Sequence, residues 1–352
     1  MRPSSRAQHS KPSPTPGDGD ARGDDVNIAD LFAGFEASTG LLLAVSGGPD
    51  STALLVLADR WRRTSGAPVF VATVDHALRA TSRAEAEAVG ALCAARALPH
   101  RILTWTGAKP DTGMPAAARA ARYRLLGEHA REIGADTIMT AHHADDQAET
   151  VLMRLTRGSG PAGLAGMARL SPARWPGGED LRLARPLLGL TKAELVAICR
   201  AEGLSFFDDP TNADEAYRRP QLRRLAAALA AEGLGRDEIN RLAARAARAE
   251  EALAPAMAAA IAALPARRES GLFEVPAAAI RALPDEALIR LLSAEIARIG
   301  GGQPRLEQVE KLVATLRRDG HLAATLGGAS IRCDSKRLIL QPQSPRKPQR
   351  AI

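Results

Sequence analysis

Leu41-Leu42-Leu43-Ala44-Val45-Ser46-Gly47-Gly48-Pro49-Asp50-Ser51-Thr52-Ala53-Leu54-Leu55 joins an apolar run to a Ser-Gly-Gly-x-Asp-Ser turn and then to a helix-forming run. A short apolar run closed by a glycine turn reads as a buried strand, and the run after the turn as a helix. Glycine lets the backbone come close to an anion, and the first N–H groups of the helix and its dipole then point at that anion. The hydroxyls of Ser46 and Ser51 add donors. Asp50 is the odd member. A carboxylate beside phosphates is repulsive unless a cation stands between them, so the loop implies Mg²⁺ as well as phosphate. Ser46, Gly47, Gly48, Pro49, Asp50 and Ser51 are therefore the candidate phosphate site. The loop is not G-x-x-x-x-G-K-[ST], because the chain contains no Gly-Lys pair.

Outward from this turn, residues 40–207 alternate strand and helix. Strands are expected at 41–45, 69–74, 101–105 and 137–141, and helices at 51–63, 82–97, 116–133 and 145–157. Such alternation predicts an α/β fold with a Rossmann-like parallel sheet covered by helices. Ligands in these sheets sit at the carboxyl ends of the strands, where Ser46, Asp75 and His142 fall. Residues 158–186 are rich in Gly and Pro. Thr191-Lys192-Ala193-Glu194 is a capping box for a helix reaching 202. Residues 217–264 read as helical throughout. Residues 272–342 read as two or three helices followed by short strands over 324–341.

A second block, Thr140-Ala141-His142-His143-Ala144-Asp145-Asp146-Gln147-Ala148-Glu149-Thr150, follows a strand and opens a helix. Asp146 and Glu149 are three apart and share a helix face. Acids in a first turn also offset the helix dipole, which explains Asp145. Two histidines at a strand end, with acids beyond them, favour a site. Gly158-Ser159-Gly160-Pro161-Ala162-Gly163 formally matches G-x-G-x-x-G, but it follows a helix and lacks a βαβ unit.

The composition is 45% hydrophobic and 25% charged, as expected of a soluble globular protein. No apolar run is long enough for a membrane span, and residues 1–25 lack a signal-peptide core, so the expected location is cytoplasmic. The net charge is +7, carried largely by arginine. Arg119 and Arg122, and again Arg154 and Arg157, are three apart on their helices. Arg241, Arg245 and Arg248 form one helical stripe. Cys93, Cys199 and Cys333 are far apart and form no metal-ligand spacing, so buried reduced thiols are expected.

The Ser-Gly-Gly-x-Asp-Ser loop resembles the PP-loop of ATP pyrophosphatases. His-His-x-Asp-Asp-x-x-Glu-Thr, followed by Arg154-Leu155-Thr156-Arg157-Gly158-Ser159-Gly160, resembles the tRNA(Ile)-lysidine synthetase family within that superfamily. Val74-Asp75-His76-Ala77-Leu78-Arg79, Ala118-Arg119-Ala120-Ala121-Arg122-Tyr123, Arg185-Pro186-Leu187-Leu188 and Asp209-Pro210-Thr211-Asn212 agree in order and distance. The resemblance covers about 41–223, with one departure: Pro220 stands where the family often has Asn.

The resemblance implies ATP-dependent ligation of L-lysine to C2 of the wobble cytidine in the CAU anticodon of an isoleucine tRNA. That change converts codon reading from AUG to AUA. The reaction passes through an adenylated tRNA and releases AMP and pyrophosphate. The resemblance assigns Asp75 and His76 to the nucleotide with the loop, and His142, Asp146 and Glu149 to catalysis or lysine binding. Asp50 and Asp146 are assigned to Mg²⁺, and Arg119, Arg122, Arg154, Arg157, Arg219 and Arg223 to tRNA. The implied organisation is a tail at 1–25, a PP-loop catalytic domain at 26–217, a helical tRNA-binding segment at 218–265, a small α+β domain at 266–342 and a basic tail at 343–352. Both tails are expected to be disordered, and homodimerisation is left open. The alternatives are a PP-loop tRNA thiolase, which typically needs paired or catalytic cysteines, an ammonia-using synthetase, or a non-catalytic tRNA-binding protein.

Overall fold

The computed structural model describes residues 26–78, 81–206 and 218–343, with the backbone alone described for 218–224. The expected tails, Arg79, the Asp209-Pro210-Thr211-Asn212 motif and Tyr217 lie outside the described residues, as do the side chains of Arg219 and Arg223. The chain runs α1 (Ile28–Phe32), β1 (Leu41–Ala44), α2 (Pro49–Ser65), β2 (Val69–Asp75), α3 (Ser82–Ala95), β3 (His100–Thr104) and α4 (Met114–Glu132). It continues with β4 (Thr137–Met139), α5 (Ala144–Leu155), α6 (Pro161–Leu164), β5 (Leu170–Pro172), β6 (Arg182–Ala184) and α7 (Lys192–Ala201). Next come α8 (Arg218–Ala231), α9 (Arg236–Ala262), β7 (Arg267–Glu269), β8 (Leu272–Pro276) and α10 (Ala277–Ala282). The last elements are α11 (Asp285–Gly300), α12 (Leu306–Asp319), β9 (Leu322–Leu326), β10 (Ala329–Cys333) and β11 (Arg337–Pro342).

Packing divides the described residues into two units, 26–144 with 169–206, and 145–168 with 218–343. The sequence drew its lines at 217/218 and 265/266. Packing draws its line elsewhere because the apolar face of α5 (Ala148, Val151, Leu152) is buried against Ile239 and Ala243 of α9. The far end of α9 (Met257, Ala260, Ile261) packs on the C-terminal core.

In the first unit six strands take the order β3-β2-β1-β4-β6-β5. β1 pairs in parallel with both β2 and β4, so the strand order reverses at β1. β6 adds in parallel to β4, and β5 closes the edge antiparallel to β6. Along β1 the side chains alternate between two cores, Leu41 and Leu43 in one and Leu42 in the other. That burial on both faces is why β1 reads as an unbroken apolar run.

A charged cluster ties α2 to the end of α3 and to the residue that follows α7. Asp59 is 1% exposed and accepts from Arg62 Nε at 2.8 Å, Arg63 Nη2 at 2.9 Å and Arg96 Nη1 at 3.3 Å. Arg96 also donates to Glu202 at 2.6 Å. Burial pushes the Asp59 carboxyl up, but hydrogen bonds from Arg63 and Arg62 outweigh it and hold the group below its ordinary 3.8. A carboxyl with a depressed folded pKa contributes stability above its unfolded value, and that contribution is lost as pH falls through the folded value. The urea midpoint is therefore expected to fall between about pH 5 and pH 2, and Asp59→Asn to flatten part of that fall. An unchanged pH profile in the variant would count against the cluster.

In the second unit the sheet order is β7-β8-β11-β10-β9, with every pair antiparallel. Ala329, Ile331 and Cys333 of β10 and Leu338 and Leu340 of β11 face a core shared with α11 and α12. β7 and β8 were not expected from the sequence. The helical run expected over 217–264 is two helices, broken at 232–235, where Gly233 takes φ +85° and Gly235 caps α9.

Candidate active site

α2 begins two residues earlier than the sequence suggested, with Pro49 in its first turn. Asp50 therefore lies inside the helix start rather than ahead of it. Gly47 has φ +85°, a left-handed conformation that a Cβ would strain, and Gly48 is the extended N-cap. The Ser46 N–H donates to Ser51 Oγ at 3.1 Å, the two hydroxyl oxygens are 3.2 Å apart, and Ser51 Oγ donates to Gly48 O at 3.1 Å. The turn is thus closed by its own serines, with Ser46 exposed and Ser51 buried. α7 packs behind this end of α2, where Cys199 Sγ donates to Pro49 O at 3.3 Å. Holding a Cβ residue in the left-handed region costs about 1–2 kcal/mol. If the turn of Gly47→Ala relaxes while empty, that cost is met on binding, and the variant is expected to raise the KM for ATP by about 5- to 30-fold with little loss of fold stability, which initial-rate kinetics and a melting curve check.

The loop after β4 lies beside the loop after β1, because these strands are neighbours at the point where the order reverses. His143 is buried and its Nε2 is 3.7 Å from Asp50 Oδ2. The other Asp50 oxygen, Oδ1, is buried and has no hydrogen-bond partner among the described residues. An orphaned carboxylate oxygen beside an anion cradle is a position that a cation fits. Among the described residues no group of three or more His, Cys, Asp or Glu could hold a metal by itself. Mg²⁺ is commonly held by one or two carboxylates together with substrate phosphates, and Asp50 supplies one such carboxylate here.

His142, the histidine singled out from the sequence, is half-buried, with Nδ1 2.8 Å from Thr140 Oγ1. The residue against Asp50 is its neighbour, which the sequence left without a role. The strand ends at Met139, so strand alternation could not say which histidine turns inward. Asp146 and Glu149 are half-buried on α5 and belong by packing to the second unit.

At the end of β2, Asp75 Oδ1 accepts from Ala77 N at 2.8 Å and Ser82 Oγ at 2.7 Å. Burial raises this carboxyl, but those hydrogen bonds and the charges of Arg83 and His76 hold it below its usual range. Burial pushes the His76 imidazole below its ordinary 6.5, and the charge of Arg122 adds to this. His76 Nδ1 is buried without a hydrogen-bond partner among the described residues, and Trp105 meets the ring edge-on at 5.9 Å. Lys109 donates to Ala77 O at 3.1 Å and stands over Trp105.

Arg119, Arg122 and Arg157 are exposed. Arg154 has a structural occupation: its Nη1 donates to Gly163 O at 2.9 Å and Gly166 O at 2.6 Å, which shapes the glycine-rich turn after α5. Arg185, at the carboxyl end of β6, was quoted in a motif but not counted as a site residue. Its position became clear only once β6 joined the sheet. The three cysteines are buried in α3, α7 and β10, and burial pushes Cys93 up to about 12 and Cys199 to about 11.

A PP-loop domain model matches residues 24–229. The tRNA(Ile)-lysidine synthase of Methylobacterium nodulans is 49% identical over 327 residues, covering 90% of this chain and 94% of its own. The chain belongs to the tRNA(Ile)-lysidine synthase family. The Rhodopseudomonas palustris synthase is 46% identical, again over 90% of this chain and 94% of its own length. As a member of this family the chain is a ligase that uses ATP and acts on tRNA. Among solved structures, the U34-tRNA thiolase NcsA from Methanococcus maripaludis shares the fold of 59% of this chain, with TM-score 0.50 and 17% identity, covering 72% of that protein. No described helix is long and apolar enough to cross a membrane.

Proposed function

We propose that the chain joins L-lysine to C2 of the wobble cytidine in the CAU anticodon of an isoleucine tRNA, in two steps. In the first, the cytosine O2 attacks the α-phosphate of ATP. The O–P bond forms, the bond to the β-phosphate breaks and pyrophosphate leaves. In the second, a lysine amine attacks C2, the C2–O bond breaks, AMP departs and the amine gives up a proton. The loop carries this reading: a left-handed glycine, a helix start and two serine hydroxyls converge where an oligophosphate would lie, a device for positioning and charge stabilisation.

Asp50 and, from the sequence, Asp146 would hold Mg²⁺, which when bound neutralises phosphate charge and eases departure of pyrophosphate. His143 orients Asp50. Asp75 and His76 face the nucleotide. His142 and Glu149 serve the lysine, whose amine is protonated at neutral pH and must lose a proton before it attacks. Arg119, Arg122 and Arg157 contact tRNA phosphates, joined by Arg219 and Arg223 from the sequence, while Arg154 braces the turn beside Arg157. An anticodon loop is single-stranded, which lowers the cost of exposing the base. A thiolase reading finds no support in the cysteines, since burial raises the thiols and so opposes a reactive thiolate.

The test is pyrophosphate release from ATP with and without tRNA(Ile) and lysine, followed by nucleoside mass analysis. Release is expected to require the tRNA but not lysine. The cytidine is expected to gain lysine only when lysine is present. A sulfur-bearing nucleoside, or release independent of tRNA, would overturn the reading.

A further inference from the structure

Arg119 and Tyr123 are one turn apart on α4, and the guanidinium carbon lies 5.0 Å from the centroid of the tyrosine ring. Tyr123 is 6% exposed, and its ring stacks on Trp175 with centroids 4.7 Å apart and planes 27° apart. Trp175 comes from the turn between β5 and β6. Its indole Nε1 is buried without a hydrogen-bond partner among the described residues. The indole is placed instead by the absence of neighbouring side chains. A Cβ on Gly178 would lie 2.7 Å from Nε1, and one on Gly127 of α4 would lie 3.1 Å away. The hairpin therefore delivers a flat ring to Tyr123, and Tyr123 delivers one to Arg119.

Arg119 differs from other arginines of its unit in its partners. Arg124 is paired with Glu128, Arg101 with Glu132 and Arg182 with Asp136. Arg119 is exposed and has no carboxylate or carbonyl partner among the described residues. A guanidinium resting by its face on an aromatic ring keeps its N–H edge for a planar, multi-oxygen anion, and it enters a complex with less side-chain freedom left to lose.

We propose that Tyr123 and Trp175 are positioning residues that hold Arg119 as a preset phosphate-binding plate for the tRNA, without touching the RNA themselves. This rests on the reading of Arg119 as a tRNA contact, and the stack adds what makes that contact effective.

The test uses the full chain and an isoleucine tRNA, with affinity measured across salt concentrations and steady-state kinetics alongside. Arg119→Ala is expected to weaken binding about fivefold and to lower the slope of log affinity against log salt by about 0.7–0.9, one phosphate's worth. Tyr123→Leu and Trp175→Leu are each expected to raise the KM for tRNA about two- to threefold, with kcat and the KM for ATP unchanged. Tyr123→Phe, which keeps the ring, is expected to restore the wild-type value. In an Arg119→Ala background neither Leu variant is expected to add anything. Should Tyr123→Leu fold poorly, Trp175→Leu and the milder Trp175→Phe carry the comparison, since Trp175 is only half-buried. Equal weakening with and without Arg119 would overturn the positioning role while leaving Arg119 a tRNA contact. An Arg119→Ala protein with unchanged affinity and salt slope would overturn both.

Discussion

Asp50→Asn is expected to lower tRNA-dependent pyrophosphate release by about 10²–10³-fold, the usual scale for losing one preorganised electrostatic group, while tRNA affinity stays within about twofold. The substitution is isosteric and keeps the helix start, so the loop's own hydrogen bonds, which involve Ser46, Gly48 and Ser51 only, remain intact. What it removes is the charge on the oxygen that lacks a partner. Because an unpartnered buried charge costs more than an unpartnered neutral amide, the variant is expected to melt no lower than the parent. Full pyrophosphate release by Asp50→Asn would show that the carboxylate does not face the reacting phosphates. A lowered melting temperature would show that its role is structural.

The second large effect lies far from the loop in sequence. Gly300 ends α11, where the helix crosses the β9–β10 turn. A Cβ there would sit 2.1 Å from Gly327 O and 2.6 Å from Ala329 N, both backbone atoms that cannot rotate aside. Gly302 N also donates to Gly327 O at 3.1 Å, which fixes the approach. Overpacking commonly costs about 1–3 kcal/mol, and with backbone on both sides Gly300→Ala is expected at or beyond the top of that range. Gly301→Ala is the control. It carries the strain of φ +74°, but nothing lies within 4 Å of its Cβ. Equal unfolding midpoints for the two variants would mean that α11 can move off the turn at little cost.

The strands that the sequence disclosed are those whose own residues explain them. Leu41, Leu42 and Leu43 are buried on both faces, so their pattern needs no partner to be read. Leu170–Pro172 and Arg182–Ala184 are three residues each, with a proline and an arginine among them. Their identity as strands comes from the ladder with β4 and from each other, which a local pattern does not carry. β7, Arg267–Glu269, is exposed throughout and was missed for the same reason. At the site, the glycine turn was legible because close approach to a phosphate demands unusual residues in a fixed order, and the histidine block because two histidines at a strand end ahead of an acidic helix start form an uncommon pattern. The contact of His143 with Asp50 was not, because it depends on how two loops end after neighbouring strands. Pro220 in place of the family's Asn falls where the structure describes backbone only.

The phosphate loop opens α2, and 11 of the 17 residues of that helix are buried. The helix that greets the nucleotide is thus also the central beam of its unit. A ligand that binds only the folded form stabilises it by mass action, by about 2.7 kcal/mol at a hundredfold excess over its dissociation constant. Occupancy of so small a turn should therefore register as a rise in the melting temperature of the whole first unit. Thermal shift then becomes a direct way to rank nucleotides and divalent ions on this chain before any tRNA is added.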